Sequence, residues 1–362
     1  MNWEIRQGDS LAVLRDIAPE SVDAIVSDPP AGIAFMGKEW DGDKGGRDAW
    51  IAWLRDIMIE ALRVLKPGGH ALVWALPRTS HWTATAVEDA GFEIRDVGVH
   101  LFGTGFPKSL DVSKAINKAA GHWRGRAGDV TIRDQPAKGA EYERTAKGDP
   151  VTPDAAQWSG WGSALKPAAE HWILARKPLI GTVAKNVLAH GTGALNIDAC
   201  RIGTDTVGWA GGGRTAAGAT FSSATCGLAS GEARPQVGRW PASVTLDEEA
   251  AAVLDEQSGE RRGGGGASRF FYVAKGSRSE KTAGGDIANT HPTVKSIALM
   301  RWLVRLITPP GGLVLDMFAG SGTTGVACLA EGCRFVGIER DPAYSDIATQ
   351  RIRHAEATRG ES

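Results

Sequence analysis

An α/β fold built on a mostly parallel sheet is what this 362-residue chain predicts, and stretches at its opposite ends predict it. Near the C-terminus, Leu313-Val314-Leu315 is an apolar run ended by Asp316, the pattern of a parallel strand buried on both faces. Met317-Phe318-Ala319-Gly320-Ser321-Gly322 follows, a glycine turn that opens a helix from Thr323 to Ala330. A second apolar strand, Cys333 to Ile338, ends at Glu339. Near the N-terminus, Val22 to Val26 is another such strand, stopped by Asp28-Pro29-Pro30. Each run delivers a carboxylate to a carboxyl strand end, where open α/β sheets bind their ligands.

The glycine turn narrows the ligand. Gly320 and Gly322 remove the β-carbons that would hold a ligand off the backbone, and Thr323 and Thr324 are placed to cap the helix. The first-turn amides and the helix dipole favour an anionic group there. A carboxylate at Glu339 can accept both hydroxyls of a ribose. Two cofactors fit this half-site. The glycines spell G-x-G-x-x-G, with Glu339 at roughly the 20-residue spacing of a dinucleotide fingerprint. An S-adenosylmethionine site uses the same geometry, with Asp316 near the amino-acid moiety. A turn that only packs helix on strand is the plain alternative.

The other end of the chain separates these readings. Two prolines cannot donate hydrogen bonds and fix φ at about −65°, so Asp28-Pro29-Pro30 ends its strand in a stiff turn. That turn presents a carboxylate and bare backbone carbonyls. Taken with the glycine turn, the sequence resembles the amino-methylating DNA methyltransferases, which modify adenine N6 or cytosine N4. Their catalytic motif, (Asp/Asn/Ser)-Pro-Pro-(Tyr/Phe/Trp), is similar to Asp28-Pro29-Pro30-Ala31, and their cofactor motif, Phe-x-Gly-x-Gly, to Phe318-Ala319-Gly320-Ser321-Gly322. The catalytic motif comes first here and the cofactor motif last, which resembles the circularly permuted β class. His291-Pro292-Thr293-Val294-Lys295 and Gly8-Asp9-Ser10 resemble two further segments of that class. The resemblance covers residues 1–100, 165–180 and 265–350.

The resemblance implies a Rossmann-like, S-adenosylmethionine-dependent methyltransferase sheet, circularly permuted, with an irregular target-recognition insertion. The cofactor pocket it implies is built from Asp9, Ser10, His291, Thr293, Lys295, Asp316, Phe318, Gly320, Ser321, Gly322, Thr323, Thr324 and Glu339. Lys295 and Thr293 would meet the cofactor carboxylate and Glu339 its ribose. Asp28 and the carbonyl of Pro29 would each accept one amino hydrogen of a flipped base, with Pro30 stiffening the turn. The fourth motif position carries an aromatic ring in the family and Ala31 here, so a substitute ring is expected, Phe35 before Trp40. An Asp before Pro-Pro is commoner among the adenine-N6 enzymes, which favours adenine over cytosine N4. A nicotinamide-dependent oxidoreductase would leave Asp28-Pro29-Pro30 and His291-Pro292 idle. An inactive DNA-binding relative is the third reading, motivated by Ala31.

Charge places the partner. The chain has a net charge of −1, yet residues 105–180 carry 12 Lys/Arg against 8 Asp/Glu. That excess marks Lys108, Lys114, Arg124 and Arg126 for phosphate contact with double-stranded DNA. The four cysteines show no paired metal spacing, so buried free thiols and no metal are expected. No run approaches the ~18 apolar residues of a membrane span, and the N-terminus does not read as a signal peptide. A solitary modification enzyme of the restriction–modification kind, in the cytoplasm of a bacterial or phage-infected cell, is the expectation. A homodimer is one option for its assembly.

Between the two motifs, apolar spacing predicts a helix over Arg47 to Leu65, a strand over Ala71 to Ala75, a helix over Thr79 to Ala90 and a strand over Phe92 to Leu101. Glu170 to Leu174 reads as that strand's hairpin partner. Six parts follow: a catalytic half (1–102), a basic loop-rich insertion (103–165), an edge strand (166–180), a target-recognition region (181–268), a cofactor half (269–350) and a tail (351–362).

Overall fold

The computed structural model describes residues 2–34, 37, 39–103, 105, 109–121, 152–207, 236–260, 264–275, 282, 287–291 and 294–359. Phe35, Thr293, Lys108, Arg124, Arg126 and Cys226 lie outside them. The chain divides into two compact units, Met1–Gly103 with Ala169–Ser362, and Thr104–Ala168.

The larger unit opens with strand β1 (Trp3–Gln7), helix α1 (Ser10–Arg15), β2 (Val22–Ser27), α2 (Arg47–Val64), β3 (Leu65–Ala75), α3 (Ser80–Asp89) and β4 (Glu93–Leu101). The smaller unit holds α4 (Val112–Ala119) and α5 (Pro153–Gln157). Both of its helices are capped from their own sequence: Asp111 accepts from the Lys114 amide and Thr152 from the Ala155 amide. The larger unit resumes with β5 (Ala169–Arg176), α6 (Val183–His190), β6 (Ile202–Val207), β7 (Gln236–Arg239), β8 (Val244–Asp247), α7 (Glu248–Ser258) and β9 (Tyr272–Ala274). It closes with α8 (Ile297–Ile307), β10 (Leu313–Asp316), α9 (Thr323–Ala330), β11 (Arg334–Glu339) and α10 (Pro342–Arg359).

Nine strands form one sheet in the order β1-β11-β10-β2-β3-β5-β4-β8-β9, while β6 and β7 pair separately. Strands from the two ends of the chain meet at its middle: β10 runs parallel to β2, with Val314 opposite Ala24 and Leu315 opposite Ile25. From that junction the chain steps to β11 on one side and to β3 on the other. This is a topological switch point, and it opens a crevice at the carboxyl ends of both strands.

Strand side chains alternate between two cores. Ile25, Val73 and Leu315 pack with Leu14, Trp50, Leu54, Met58 and Val87 from α1, α2 and α3. Ala24, Val26, Leu72 and Val314 pack with Leu299, Leu303, Cys328 and Ile352 from α8, α9 and α10. The buried face of α2 is Trp50, Ile51, Leu54, Ile57, Met58, Ala61 and Val64, close to the stripe that its spacing predicts. Cys200, Cys328 and Cys333 are buried free thiols, as expected.

Four expectations need correction. The strand after α2 begins at once at Leu65 rather than at Ala71: Leu65 stands opposite Val22 and His70 opposite Ala24, with Lys66 to Gly69 bulging out of the register between them. The predicted hairpin of β4 and β5 does form, with Val97 opposite Ile173, but it is not the sheet edge. β8 pairs in parallel with β4, and β9 with β8, so a β8-α7-β9 crossover, running from the region read as target-recognition into the cofactor half, adds two strands to the sheet. Finally, residues 351–359, read as part of a tail, belong to α10, with Arg351 and Ile352 buried.

Candidate active site

Four carboxyl strand ends converge on the crevice. β1 ends in Gly8-Asp9-Ser10, β2 in Ser27-Asp28-Pro29-Pro30, β10 in Asp316 and β11 in Glu339. The two motif turns are bonded to each other. The Ser27 hydroxyl donates to Asp316 Oδ1 at 2.8 Å, and the Met317 amide donates to Ser27 Oγ at 3.1 Å. The Ser10 hydroxyl reaches the Met317 carbonyl at 2.7 Å, which ties α1 to the same turn. Asp9 accepts the Ala12 amide at 3.2 Å and caps α1. Three segments far apart in sequence thus become one rigid floor.

In the glycine turn, Gly320 has φ +52° and Gly322 φ +76°, the left-handed region that side chains resist. A β-carbon at Gly320 would lie 2.9 Å from His291 Nε2, and one at Gly322 2.9 Å from the Ala348 methyl. The turn therefore passes too close to its neighbours for anything but glycine. The Gly320 amide donates to Glu339 Oε2 at 2.8 Å, and the Asp341 amide to Glu339 Oε1 at 2.8 Å. His291 packs edge-on against Tyr344, with ring centroids 4.6 Å apart. Phe318 stands against Trp53 at 5.8 Å.

The expected caps of α9 are absent. Gly322 is the N-cap, with no side-chain hydrogen bond. Both threonine hydroxyls are drawn elsewhere: Thr324 Oγ1 donates to Asp316 Oδ2 at 2.6 Å, and Thr323 Oγ1 accepts from the Arg351 guanidinium at 3.0 Å. Arg351 also donates to the Ser321 carbonyl at 2.6 Å and to its hydroxyl at 2.9 Å. Helix α10 thus clamps the turn from behind.

Asp316 accepts hydrogen bonds from Ser27, Thr324 and the Phe318 amide. Burial nevertheless pushes its carboxyl up to about 6, with those donors opposing the shift. A folded value above the unfolded one means that the native state holds the proton more tightly. The resulting stability is complete below about pH 4 and is lost as pH rises through about 6, a swing of roughly 3 kcal/mol at most. The melting temperature of the cofactor-free protein should accordingly fall between pH 4 and 7 more steeply than that of the Asp316→Asn variant. Parallel curves would place the titration elsewhere.

At the other end of the crevice, burial raises the Asp28 carboxyl, and the ammonium of Lys295 opposes the shift. Lys295 Nζ lies 3.3 Å from Asp28 Oδ2 and 2.9 Å from Glu170 Oε2. The Trp74 indole donates to the same Glu170 oxygen at 2.6 Å, and its ring lies beneath the ammonium at 4.4 Å. Burial works against charge on Glu170 and Lys295 too, yet their mutual attraction keeps the acid low and the amine high. Lys295 thus stands at the Asp28 end of the crevice. Glu170 and Trp74 escaped the sequence reading. Glu170 sits in an unremarkable strand, and Trp74 reads as core, which by exposure (4%) it is.

Ala31 is half-buried, and Gly32 beside it is fixed by the buried carboxylate of Asp41 at 3.1 Å. Trp40 is half-buried in the same loop. Lys114, on the smaller unit, pairs at 2.7 Å with Asp111. Among the described residues no group of three or more His, Cys, Asp or Glu could hold a metal ion. Among the same residues, no helix is long and apolar enough to cross a membrane.

Residues 246–350 match the family model N6_N4_Mtase, a DNA methylase. The matched segment contains His291, Lys295, the glycine turn and Glu339, while Asp28 and Glu170 precede it. The type II methyltransferase M.Cfr9I of Citrobacter freundii is 36% identical over 98 residues, 24% of this chain and 33% of that protein. The DNA adenine methyltransferase YhdJ of Escherichia coli is 40% identical over 67 residues, 18% of this chain and 23% of that one. The chain thus spans a third or less of these curated relatives. A crystal structure of an M1.HpyAVI–SAM complex aligns over 97% of this chain and 98% of its own, at 18% identity and a TM-score of 0.46.

Proposed function

We propose that this chain is a DNA methyltransferase that modifies an exocyclic amine, adenine N6 in particular, using S-adenosylmethionine. The observation that carries the reading is the Ser27–Asp316 hydrogen bond, which joins the Asp-Pro-Pro turn to the glycine turn in one crevice. The residues fit the cofactor. Gly320 and Gly322 leave the turn bare, and Glu339 stands at the next strand end. S-adenosylmethionine, when bound, supplies an electrophilic methyl group. Asp9, Ser10, His291, Asp316, Phe318 and Glu339 would hold it, with Thr293 added from the family pattern.

The protein's own part is orientation. An exocyclic amine is a poor nucleophile because its lone pair is delocalised into the ring. Asp28 and the Pro29 carbonyl can each accept one amino hydrogen, which draws the nitrogen toward tetrahedral geometry and frees that lone pair. The acceptors stabilise charge that develops on the nitrogen, so Asp28 need not be a strong base.

The target base would be flipped from a duplex onto this turn, at a few kcal/mol of unstacking. One relative is named an adenine methyltransferase, and the Asp of Asp28-Pro29-Pro30 supports the same choice. Phe35 as the stacking ring, and Lys108, Lys114, Arg124 and Arg126 as phosphate contacts, complete the proposal. Incubation of unmethylated DNA with the protein and tritiated-methyl cofactor, followed by mass spectrometry of the nucleosides, tests it. N6-methyladenine is the expected product. N4-methylcytosine alone would reverse the choice of base, and no label in DNA would reject the activity.

A further inference from the structure

We infer that Glu170 is a positioning residue of the methyl-transfer site: anchored by the Trp74 indole, it pins the Lys295 ammonium against Asp28 and so fixes the orientation of that carboxylate. The inference rests on the methyl-transfer reading for what Asp28 does. The arrangement itself is geometric. Lys295 hangs on a flexible four-carbon stem, and its ammonium lies between Glu170 at 2.9 Å and Asp28 at 3.3 Å. Glu170 is held independently, because its Oε2 also takes the Trp74 indole proton at 2.6 Å. The Trp74 ring closes the ammonium from below. Trp74 is itself buried and stacked on Trp172, with ring centroids 6.1 Å apart. The chain of support therefore runs from core to indole, to Glu170, to Lys295, to Asp28. Lys295 engages Asp28 through Oδ2, which leaves Oδ1 for an amino hydrogen.

The network also explains why β5 must lie beside β3. Trp74 and Trp172 are opposite one another in that antiparallel pair, and Glu170 lies two residues before Trp172, on the same face of the strand. Glu170 thereby reaches the Asp28 end of the crevice from a strand that carries no family motif.

The charged groups that face Asp28 are Lys295, Glu170 and Asp41, with Asp316 across the crevice. His100 lies near Glu170 and Lys295, and Asp247 lies near His100. Two effects of removing the Glu170 charge therefore oppose each other at Asp28. Loss of a neighbouring negative charge lowers its titration midpoint, whereas release of Lys295 raises it. The inference commits to the second.

The test follows the Asp28 carboxyl carbon by NMR in full-length protein with labelled aspartate, the resonance assigned by its loss in Asp28→Asn. Lys295→Met should raise the midpoint by a unit or more. Glu170→Gln, which keeps size and hydrogen-bonding capacity, should raise it toward the Lys295→Met value, and Trp74→Phe should give a smaller rise. In single-turnover methyl transfer, Glu170→Gln should lose at least tenfold while cofactor affinity stays within threefold. The acid limb of its rate profile should move to higher pH. The double variant Glu170→Gln/Lys295→Met should be no slower than Lys295→Met alone, since the glutamate acts through the lysine. A midpoint that falls or stays put in Glu170→Gln overturns the inference, as do losses that multiply in the double variant. If the unaltered protein transfers no methyl to DNA, the proposed function fails, and the Asp28 titration still decides the role of Glu170.

Discussion

Asp28→Ala should abolish methyl transfer, by about a thousandfold or more, while S-adenosylmethionine affinity changes no more than a few-fold. The figure follows from related sites, where removing one preorganised group that meets developing charge costs about 10²–10³ in rate. Asp28 adds orientation to that contribution, because the amine must be held with its lone pair toward the methyl carbon. The expected split between rate and binding has a structural basis. Asp28 closes one end of the crevice and pairs with Lys295, whereas the glycine turn is held by Asp316, Glu339 and Arg351. Deleting the carboxylate leaves Lys295 on Glu170 and leaves that turn untouched. Asp28→Asn, which keeps an acceptor oxygen, should retain measurable turnover. Single-turnover assays beside calorimetric titration with cofactor separate the two quantities. Normal turnover by Asp28→Ala would sink the assignment of this turn, and parallel loss of binding would move Asp28 into the cofactor pocket.

How much of this site could be read before the fold was known depends on how local each signal is. The strand-turn-helix around Gly320 and the strand-stop at Pro29 are written in consecutive residues, and both stand where periodicity and turn chemistry put them. The pairing of β10 with β2 joins opposite ends of the chain, and no local signal in the sequence shows it. Three features were hidden because they are made only by tertiary contact. Glu170 enters the site through the register of β5 on β3, and a one-residue slip would turn it to the other face. Arg351 reaches the turn from a helix whose exposed residues read as a tail. β8 and β9 are short runs flanked by glycine-rich or low-complexity sequence, so nothing local shows that they extend the sheet beyond β4. The threonine caps failed for a related reason. The helix start was placed correctly, but Asp316 and Arg351 compete for the same hydroxyls and win them.

Gly320→Val should remove S-adenosylmethionine binding, with a loss of at least a hundredfold in affinity. Three effects act together. A β-branched residue at φ +52° is strained, at a cost of about 1–3 kcal/mol. Its β-carbon would stand 2.9 Å from His291 Nε2 and 3.2 Å from Cε1, so the imidazole must leave its seat on Tyr344. Any shift of the turn also disturbs the Gly320 amide, which at 2.8 Å orients the Glu339 carboxylate. Bare backbone, imidazole and acid would thus be altered by one substitution, while the apolar cores of the sheet lie beneath and are unchanged. The protein should therefore still unfold cooperatively, at a lower temperature. Calorimetric titration measures the loss, with thermal unfolding as the check that the fold persists. The smaller Gly320→Ala change meets the same imidazole, so removing that ring in a Gly320→Ala/His291→Ala double variant should recover part of the binding that Gly320→Ala alone loses. Binding by Gly320→Val equal to that of the parent would show that the cofactor lies elsewhere, since no ligand could approach this turn past a valine without feeling it.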